Sequence, residues 1–254
     1  FADASLPPSK VAAACVAMAG SDRDEARQRL MEWSAASGLA ERFLPVHDAA
    51  ALLAAGTPEG VGIAVIAGTG TLAFGRAPSG KSARSGGWGY LFGDEGSGYA
   101  LAIAGLRAVA HAADGRGAKT LLTERFLQEL AIASPAEMVQ AVYPRHDDRT
   151  WLSSLAQIVL NAAREGDLVG GNIVDVAADS LAEQVAAVVD ALDWNEAAYP
   201  MAMGGGLLVH AKLLRKALVT RLNRRGISPA PIAVVAEPVV GAVILARNLV
   251  TASE

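Results

Sequence analysis

The feature that most restricts this 254-residue chain is a run of six glycines in thirteen residues, Gly86-Gly87-Trp88-Gly89-Tyr90-Leu91-Phe92-Gly93-Asp94-Glu95-Gly96-Ser97-Gly98. Glycine loses more conformational freedom on folding than any other residue, so such a segment costs the chain a good deal to order. It demands a rigid frame around it and a reason for backbone to pass close to something. Binding residues favour loops held on such frames. Trp88, between glycines, offers a flat face suited to stacking or to the apolar side of a sugar ring. Asp94 and Glu95 stand just before a helical pattern, where a carboxylate also serves simply to favour a helix N-terminus.

The frame around this segment reads as α/β. Val11 to Met18 is an apolar run ending in Ala19-Gly20 and predicts a buried strand. Ser21 and Asp22 are placed to cap a helix over Arg23 to Ser37, with Ala26, Leu30 and Trp33 on its apolar face. Phe43 to Val46 predicts a second strand, ending at His47-Asp48, and Ala49 to Ala55 a second helix. This alternation is the rhythm of an α/β layer.

The turn-rich Gly56-Thr57-Pro58-Glu59-Gly60 marks a domain boundary. Beyond it, Gly62–Gly68, Thr71–Arg76 and Gly86–Phe92 predict three strands of a β-meander. Helical patterns follow over Ser97–Ala113 and residues 119–131, 135–142, 150–165 and 171–192. Tyr199 to Met203 predicts a strand running into Gly204-Gly205-Gly206, then a helix over Leu207–Arg224. A last strand at Ile232–Val235 and a last helix at Val239–Leu249 close the chain.

Composition removes several classes of function. Against 26 acidic residues there are 22 basic ones, with no basic stripe, so nothing points to nucleic acid or an anionic membrane as partner. No apolar run is long enough to span a bilayer and the N-terminus does not read as a signal peptide, so a cytoplasmic location is expected. A single cysteine, Cys15, can form no internal disulfide and no cysteine-rich metal site; its apolar neighbours predict a small buried hydrophobe. The four histidines show no metal-ligand spacing, and the charge cluster Arg145 to Arg149 reads as a solvated loop.

Three further positions carry candidate chemistry. In Gly68-Thr69-Gly70-Thr71, glycines let backbone N–H groups approach an anion, and the hydroxyls of Thr69 and Thr71 can donate to phosphate oxygens. The same residues fit an ordinary β-hairpin turn. Gly204-Gly205-Gly206 can set a ligand against amides at a helix N-terminus, or simply make a tight turn between strand and helix. Asp48 stands at the C-terminal end of a strand, where open α/β sheets present ligand-binding groups. A carboxylate there can accept a hydroxyl proton during phosphoryl transfer; the competing role is an N-cap for the following helix.

Occurring together and in this order, these residues give the chain a family likeness. Ala17-Met18-Ala19-Gly20, His47-Asp48-Ala49, the Gly68–Thr71 turn, the Gly86–Ser97 segment, Gly204–Gly206 and Glu237-Pro238-Val239-Val240-Gly241-Ala242 recur in order. In them the chain resembles the N-acetylglucosamine kinase group of the BadF/BadG/BcrA/BcrD ATPase family, within the actin-like ATPase superfamily. The resemblance runs nearly the whole length.

It implies an actin-like ATPase (ribonuclease H-like) fold, α/β, of two domains closing over a cleft. Residues 1–57 would be the remainder of an N-terminal domain, 58–238 a C-terminal domain, and the final helix, 239–254, would pack back on the first. It implies ATP-dependent phosphorylation of an amino sugar, N-acetylglucosamine or glucosamine, with Mg²⁺ accompanying ATP and with a homodimer as the family analogy. Asp48 would be catalytic base and sugar ligand; Gly87, Trp88, Gly89 and Asp94 would line the sugar site; Thr69, Gly70 and Thr71, Gly166 and Gly204–Gly206 would serve the nucleotide. The family's Asp-Gly-Gly-Gly-Thr phosphate loop, expected before Val11, does not occur in this sequence, so the chain is expected to begin inside the first domain. That departure keeps a second reading open, a sugar sensor that closes on its ligand without phosphate transfer. A third, an ATPase activator of a dehydratase, needs two cysteines per subunit to share an iron–sulfur cluster, which Cys15 alone does not supply.

Overall fold

In a computed structural model the described residues are 10–21, 23–194 and 196–251. Two sheets form. A small one pairs β1 (Val11–Ala17) with β2 (Ala40–Val46) in parallel. A five-stranded one has the order β5-β4-β3-β6-β7. In it β3 (Gly62–Ala67), β4 (Thr71–Arg76) and β5 (Ser82–Gly86) form an antiparallel meander, while β6 (Tyr199–Gly204) and β7 (Pro229–Val234) run parallel to β3.

The near-continuous apolar reading of β3 has a simple cause: both of its faces are covered. Ile63, Val65 and Ala67 face the main core, built with α3 (Gly98–Ala113), α7 (Ala156–Arg164), α8 (Leu168–Leu192) and α10 (Lys212–Arg224). The intervening Ala64 packs with Leu52 and Leu53 of α2 (Asp48–Gly56) on the opposite face. The last helix, α11 (Val239–Thr251), lies on α2 and β1, and it crosses α2 so closely that a Cβ on Gly241 would fall 1.8 Å from the Ala51 carbonyl oxygen. The helix that follows β2 therefore joins the small sheet to the large one.

This topology places the C-terminal ends of β1, β2, β3 and β6 at turns that carry the candidate residues. They lead into Ala19-Gly20, His47-Asp48, Gly68-Thr69-Gly70 and Gly205-Gly206 respectively. Ligands gather at the carboxyl ends of strands in open α/β sheets, because that is where successive turns converge.

Several expectations are corrected. The third meander strand is Ser82–Gly86, not Gly86–Phe92. Its register, Arg76 opposite Ser82 and Leu72 opposite Gly86, is set by the short turn after β4, and pairing stops where β4 begins at Thr71. Gly86 and Gly87, both with positive φ, then turn the chain out of the ladder.

Helix α1 is Asp24–Ser37, and Arg23 at its N-cap supplies no side-chain bond; Ser21 is buried without capping it, and Asp22 lies outside the described residues. Trp33, expected on the packed face, is 50% exposed. The pattern over 150–165 divides into α6 (Arg149–Ser154) and α7. That over 207–224 breaks at Ala211 between α9 (Gly206–His210) and α10, where Arg215 donates to the carbonyls of Leu208 and Val209 that the break leaves free. Cys15 is half-buried in a groove between β1 and α11 rather than deep in a core, and partial burial pushes its thiol pKa up. Among the described residues no helix is long and apolar enough to cross a membrane.

Candidate functional site

A cleft of about 520 Å³ opens between the two sheets. From the small sheet it takes Ala19, Gly20, Arg23, His47 and Asp48; from the large one, Gly68 to Leu72 and Arg84; from the glycine-rich segment, Gly87, Trp88, Gly89 and Asp94. A second cavity of about 350 Å³ adjoins it, lined by Gly98, Ser153, Gln157, Gly206 and His210 among others. Gly68 and Thr69 line both. The turn between β3 and β4 is therefore the wall the two spaces share.

Asp48 is the first residue of α2, directly after β2. It does not cap that helix. His47 holds the N-cap position, with its Nδ1 accepting from the Ala50 N–H at 3.2 Å and its ring edge-on to Phe74. Asp48 Oδ1 accepts from the adjacent Ala49 N–H, at 2.9 Å. With capping done by its neighbour, the carboxylate is left to the cleft.

Asp94 is the most constrained carboxylate in the cleft. It is 4% exposed and adopts φ +61°, a left-handed backbone that costs a non-glycine residue on the order of 1 kcal/mol. Its Oδ1 accepts from the Thr71 N–H at 3.0 Å. Gly70 is glycine for the same reason: a Cβ there would fall 2.7 Å from Asp94 Oδ1. Two segments separated by more than twenty residues are thus locked together, and the lock aims Asp94 into the cleft.

Thr71 calls for a correction. It borders the cleft but is only 3% exposed. Its hydroxyl donates to the Glu95 carbonyl at 3.2 Å and accepts from Gln184 Nε2 at 3.1 Å, so it is committed to holding the glycine segment, not to a phosphate. Thr69, by contrast, stands on the shared wall.

The triple glycine divides by role. A Cβ on Gly204 would meet Leu52 at 2.8 Å, and one on Gly205 the Ala67 carbonyl oxygen at 2.4 Å; packing accounts for both. Gly206 lines the second cavity, and a Cβ on it would meet nothing within 4 Å. Its backbone is open to that space, as a cradle for phosphate or ribose needs. Gly166 lines neither cavity. It sits beyond the C-terminal end of α7 in a turn tied down by Asp167, whose carboxylate accepts from Gly170 N–H at 2.7 Å, Leu121 N–H at 2.8 Å and the Thr120 hydroxyl at 2.9 Å. Burial pushes the Asp167 pKa up, but these bonds outweigh it and hold the carboxyl below its usual range.

Two residues at the site escaped sequence reasoning. Arg149 lies in the cleft, not on a solvated loop. Gln184 is buried on α8 and also donates to the Glu95 carbonyl at 3.3 Å. A signal for Gln184 was present: it is a polar residue in the stripe Leu181, Val185 and Val188, all fully buried. Arg149 had no such signal, since charged neighbours surround it in sequence.

Among the described residues, no group of three or more His, Cys, Asp or Glu side chains is placed to hold a metal ion. A hard cation held by one or two carboxylates and completed by phosphate oxygens needs no such group; Asp48 and Asp94 are carboxylates that line the cleft.

Comparison with known proteins places this geometry. The sequence pattern of the BadF/BadG/BcrA/BcrD ATPase family matches residues 1–246. An N-acetylmuramic acid/N-acetylglucosamine kinase of Clostridium acetobutylicum is 34% identical over 236 residues, covering 93% of this chain and 77% of that protein. An N-acetyl-D-glucosamine kinase of Dictyostelium discoideum is 29% identical over 242 residues, 94% of this chain and 76% of that one. The crystal structure of a Chromobacterium violaceum protein, provisionally named an N-acetylglucosamine kinase, superposes with a TM-score of 0.71 at 28% identity, covering 96% of this chain and 80% of that one.

Proposed function

We propose that this chain, which belongs to the BadF/BadG/BcrA/BcrD ATPase family, is an ATP-dependent kinase of an amino sugar, with N-acetylglucosamine as the first substrate to test. One observation carries the reading. A cleft holding two carboxylates shares the Gly68-Thr69 wall with a second cavity that has open glycine backbone. Phosphoryl transfer needs two such spaces meeting at one point, since its catalysis is largely positioning and charge stabilisation.

In this reading the sugar lies in the cleft against Gly87, Trp88 and Gly89, with hydroxyls donating to Asp94. The nucleotide lies in the second cavity beside Gly206, with its phosphates at Thr69 and Gly70. Asp48 takes the proton of the attacking sugar hydroxyl while that oxygen bonds to the terminal phosphorus of ATP. The bond from that phosphorus to the bridging oxygen breaks, and sugar phosphate and ADP result. Mg²⁺ offsets phosphate charge when bound. ATP as co-substrate is in keeping with the cytoplasmic location expected from the sequence.

The test is ADP formation by the full natural protein across N-acetylglucosamine, N-acetylmuramic acid, glucosamine and glucose, with sugar phosphate measured in parallel. One ADP per sugar phosphate, highest with an N-acetylated amino sugar, supports the reading. Sugar binding without ATP consumption overturns it in favour of a sensor.

A further inference from the structure

Arg149 makes contacts that neither the mechanism above nor an ordinary surface ion pair requires. It is the first residue of α6, whose N-cap Asp148 accepts from the Trp151 N–H at 2.9 Å. From there its guanidinium crosses into the cleft, lies 4.8 Å over the Tyr90 ring and brings Nη2 to 3.3 Å from Asp94 Oδ2. Tyr90 is itself edge-on to Tyr99 of α3, 5.3 Å between centroids. The arginine therefore braces the glycine-rich segment from outside, while Thr71 and Gly70 hold Asp94 from inside.

The contact is also unfinished. A well-made guanidinium–carboxylate bond measures about 2.7–2.9 Å, and this one is longer. Arg149 Nε is buried and has no partner, and a buried unpaired donor costs free energy unless something completes it. Asp94 has one oxygen bonded to a fixed backbone N–H, so its remaining capacity lies on the side that Arg149 approaches.

Position adds the second element. The neighbouring α6 residues Thr150, Ser153 and Ser154 line the second cavity, and Ser153 donates its hydroxyl to the Arg149 carbonyl at 2.7 Å. One short helix thus touches the sugar cleft through its first side chain and the nucleotide space through the next turn. We propose that Arg149 is a positioning residue: it sets the Asp94 carboxylate for the sugar hydroxyls, and through α6 it makes sugar affinity depend on occupancy of the adjoining cavity. This rests on the kinase reading given above.

The experiment is direct sugar binding by calorimetry, with and without a non-hydrolysable ATP analogue, on the full natural protein and its Arg149→Gln and Arg149→Lys variants. Removing the charged donor is expected to raise the sugar Kd about tenfold or more, the scale of a lost bond to a charged group. A tightening of sugar binding by the analogue is expected in the unaltered protein and should vanish in Arg149→Gln. Arg149→Lys should regain part of the affinity, since lysine restores charge but not the planar fork that stacks on Tyr90; it also keeps the test alive where glutamine prevents folding. A sugar Kd within about twofold of the unaltered protein in Arg149→Gln would overturn the proposal, as would equal losses of sugar and nucleotide affinity with a lowered Tm. Absence of sugar binding in the unaltered protein would instead bring down the kinase reading itself.

Discussion

Two glycine-rich segments flank the candidate site, and they differ in what they carry between their glycines. Gly86–Gly98 carries its large side chains outward: Trp88 is 68% exposed and Phe92 80%. Its base, Asp94, Gly96, Ser97 and Gly98, is buried. Gly204 and Gly205 face inward, against Leu52 and the Ala67 backbone, and Gly206 alone opens on a cavity. A dense glycine run shows that something comes close to the backbone. It does not show whether that something is a ligand or another part of the chain. In the first segment Gly87 and Gly89 line the cleft, whereas Gly86 and Gly96 pack against the frame as Gly204 and Gly205 do, so substitutions at the two kinds of position should fail in different ways.

The largest effect should come from the acid that faces the first segment across the cleft. Asp48→Asn is expected to lower kcat roughly 10²–10⁴-fold, the usual contribution of a positioned base, with thermal unfolding unchanged because His47 does the capping. Turnover at the original rate in a burst-free steady-state assay would remove Asp48 as the base. Next, Gly205→Ala should destabilise the fold by about 1–3 kcal/mol, since the position has φ +84° and no room beside the Ala67 carbonyl. Calorimetric Tm should drop by roughly 2–4 °C per kcal/mol for a chain of this size. An unchanged Tm with weakened nucleotide binding would reverse the contrast drawn above.

Trp88→Ala should do the converse: Tm stays, and sugar affinity falls about tenfold, more than nucleotide affinity. Weaker nucleotide binding with sugar binding intact would misplace the sugar.

The smallest effect concerns the Gly166 turn, read here as structural. Asp167 has a folded pKa held below its ordinary value. Its contribution is therefore present above the unfolded carboxyl pKa of about 3.9 and is lost as pH falls through the folded value. Asp167→Asn should accordingly unfold at lower urea than the unaltered protein at pH 7, and the gap should narrow as the pH falls through that folded value. A gap that stays constant with pH would mean that amide and carboxylate serve this turn differently from the hydrogen bonding described.

Much of this arrangement was legible in the residues, and the parts that were not share a cause. Apolar runs and turn residues marked the strands, but β2 and β7 begin three residues before their expected starts, and β5 lies almost wholly before its expected run because its partner register, not its own composition, sets its limits. Asp48, Thr69 and Asp94 were recognisable as candidates because their types sit beside glycine turns at strand or helix ends, and all three line the cleft. Thr71 was misjudged because nothing local shows that its hydroxyl is claimed by Glu95 and Gln184, the latter more than a hundred residues away. Gly166 lines neither cavity, and nothing local foretells this because a turn looks alike whether or not a cavity lies beside it.

By itself the sequence determined the α/β class, the order of elements and the family, because these follow from hydrophobic periodicity and from glycine and acid types read along one dimension. Only the tertiary structure decided which of those residues share a space. It brought Asp48 and Asp94 into one cleft, gave Thr69 to both cavities, turned Thr71 inward and drew Arg149 in from a stretch that reads as solvated. The physical reason is that long-range hydrogen bonds and steric close approach depend on distances between segments, and local composition carries no record of those distances.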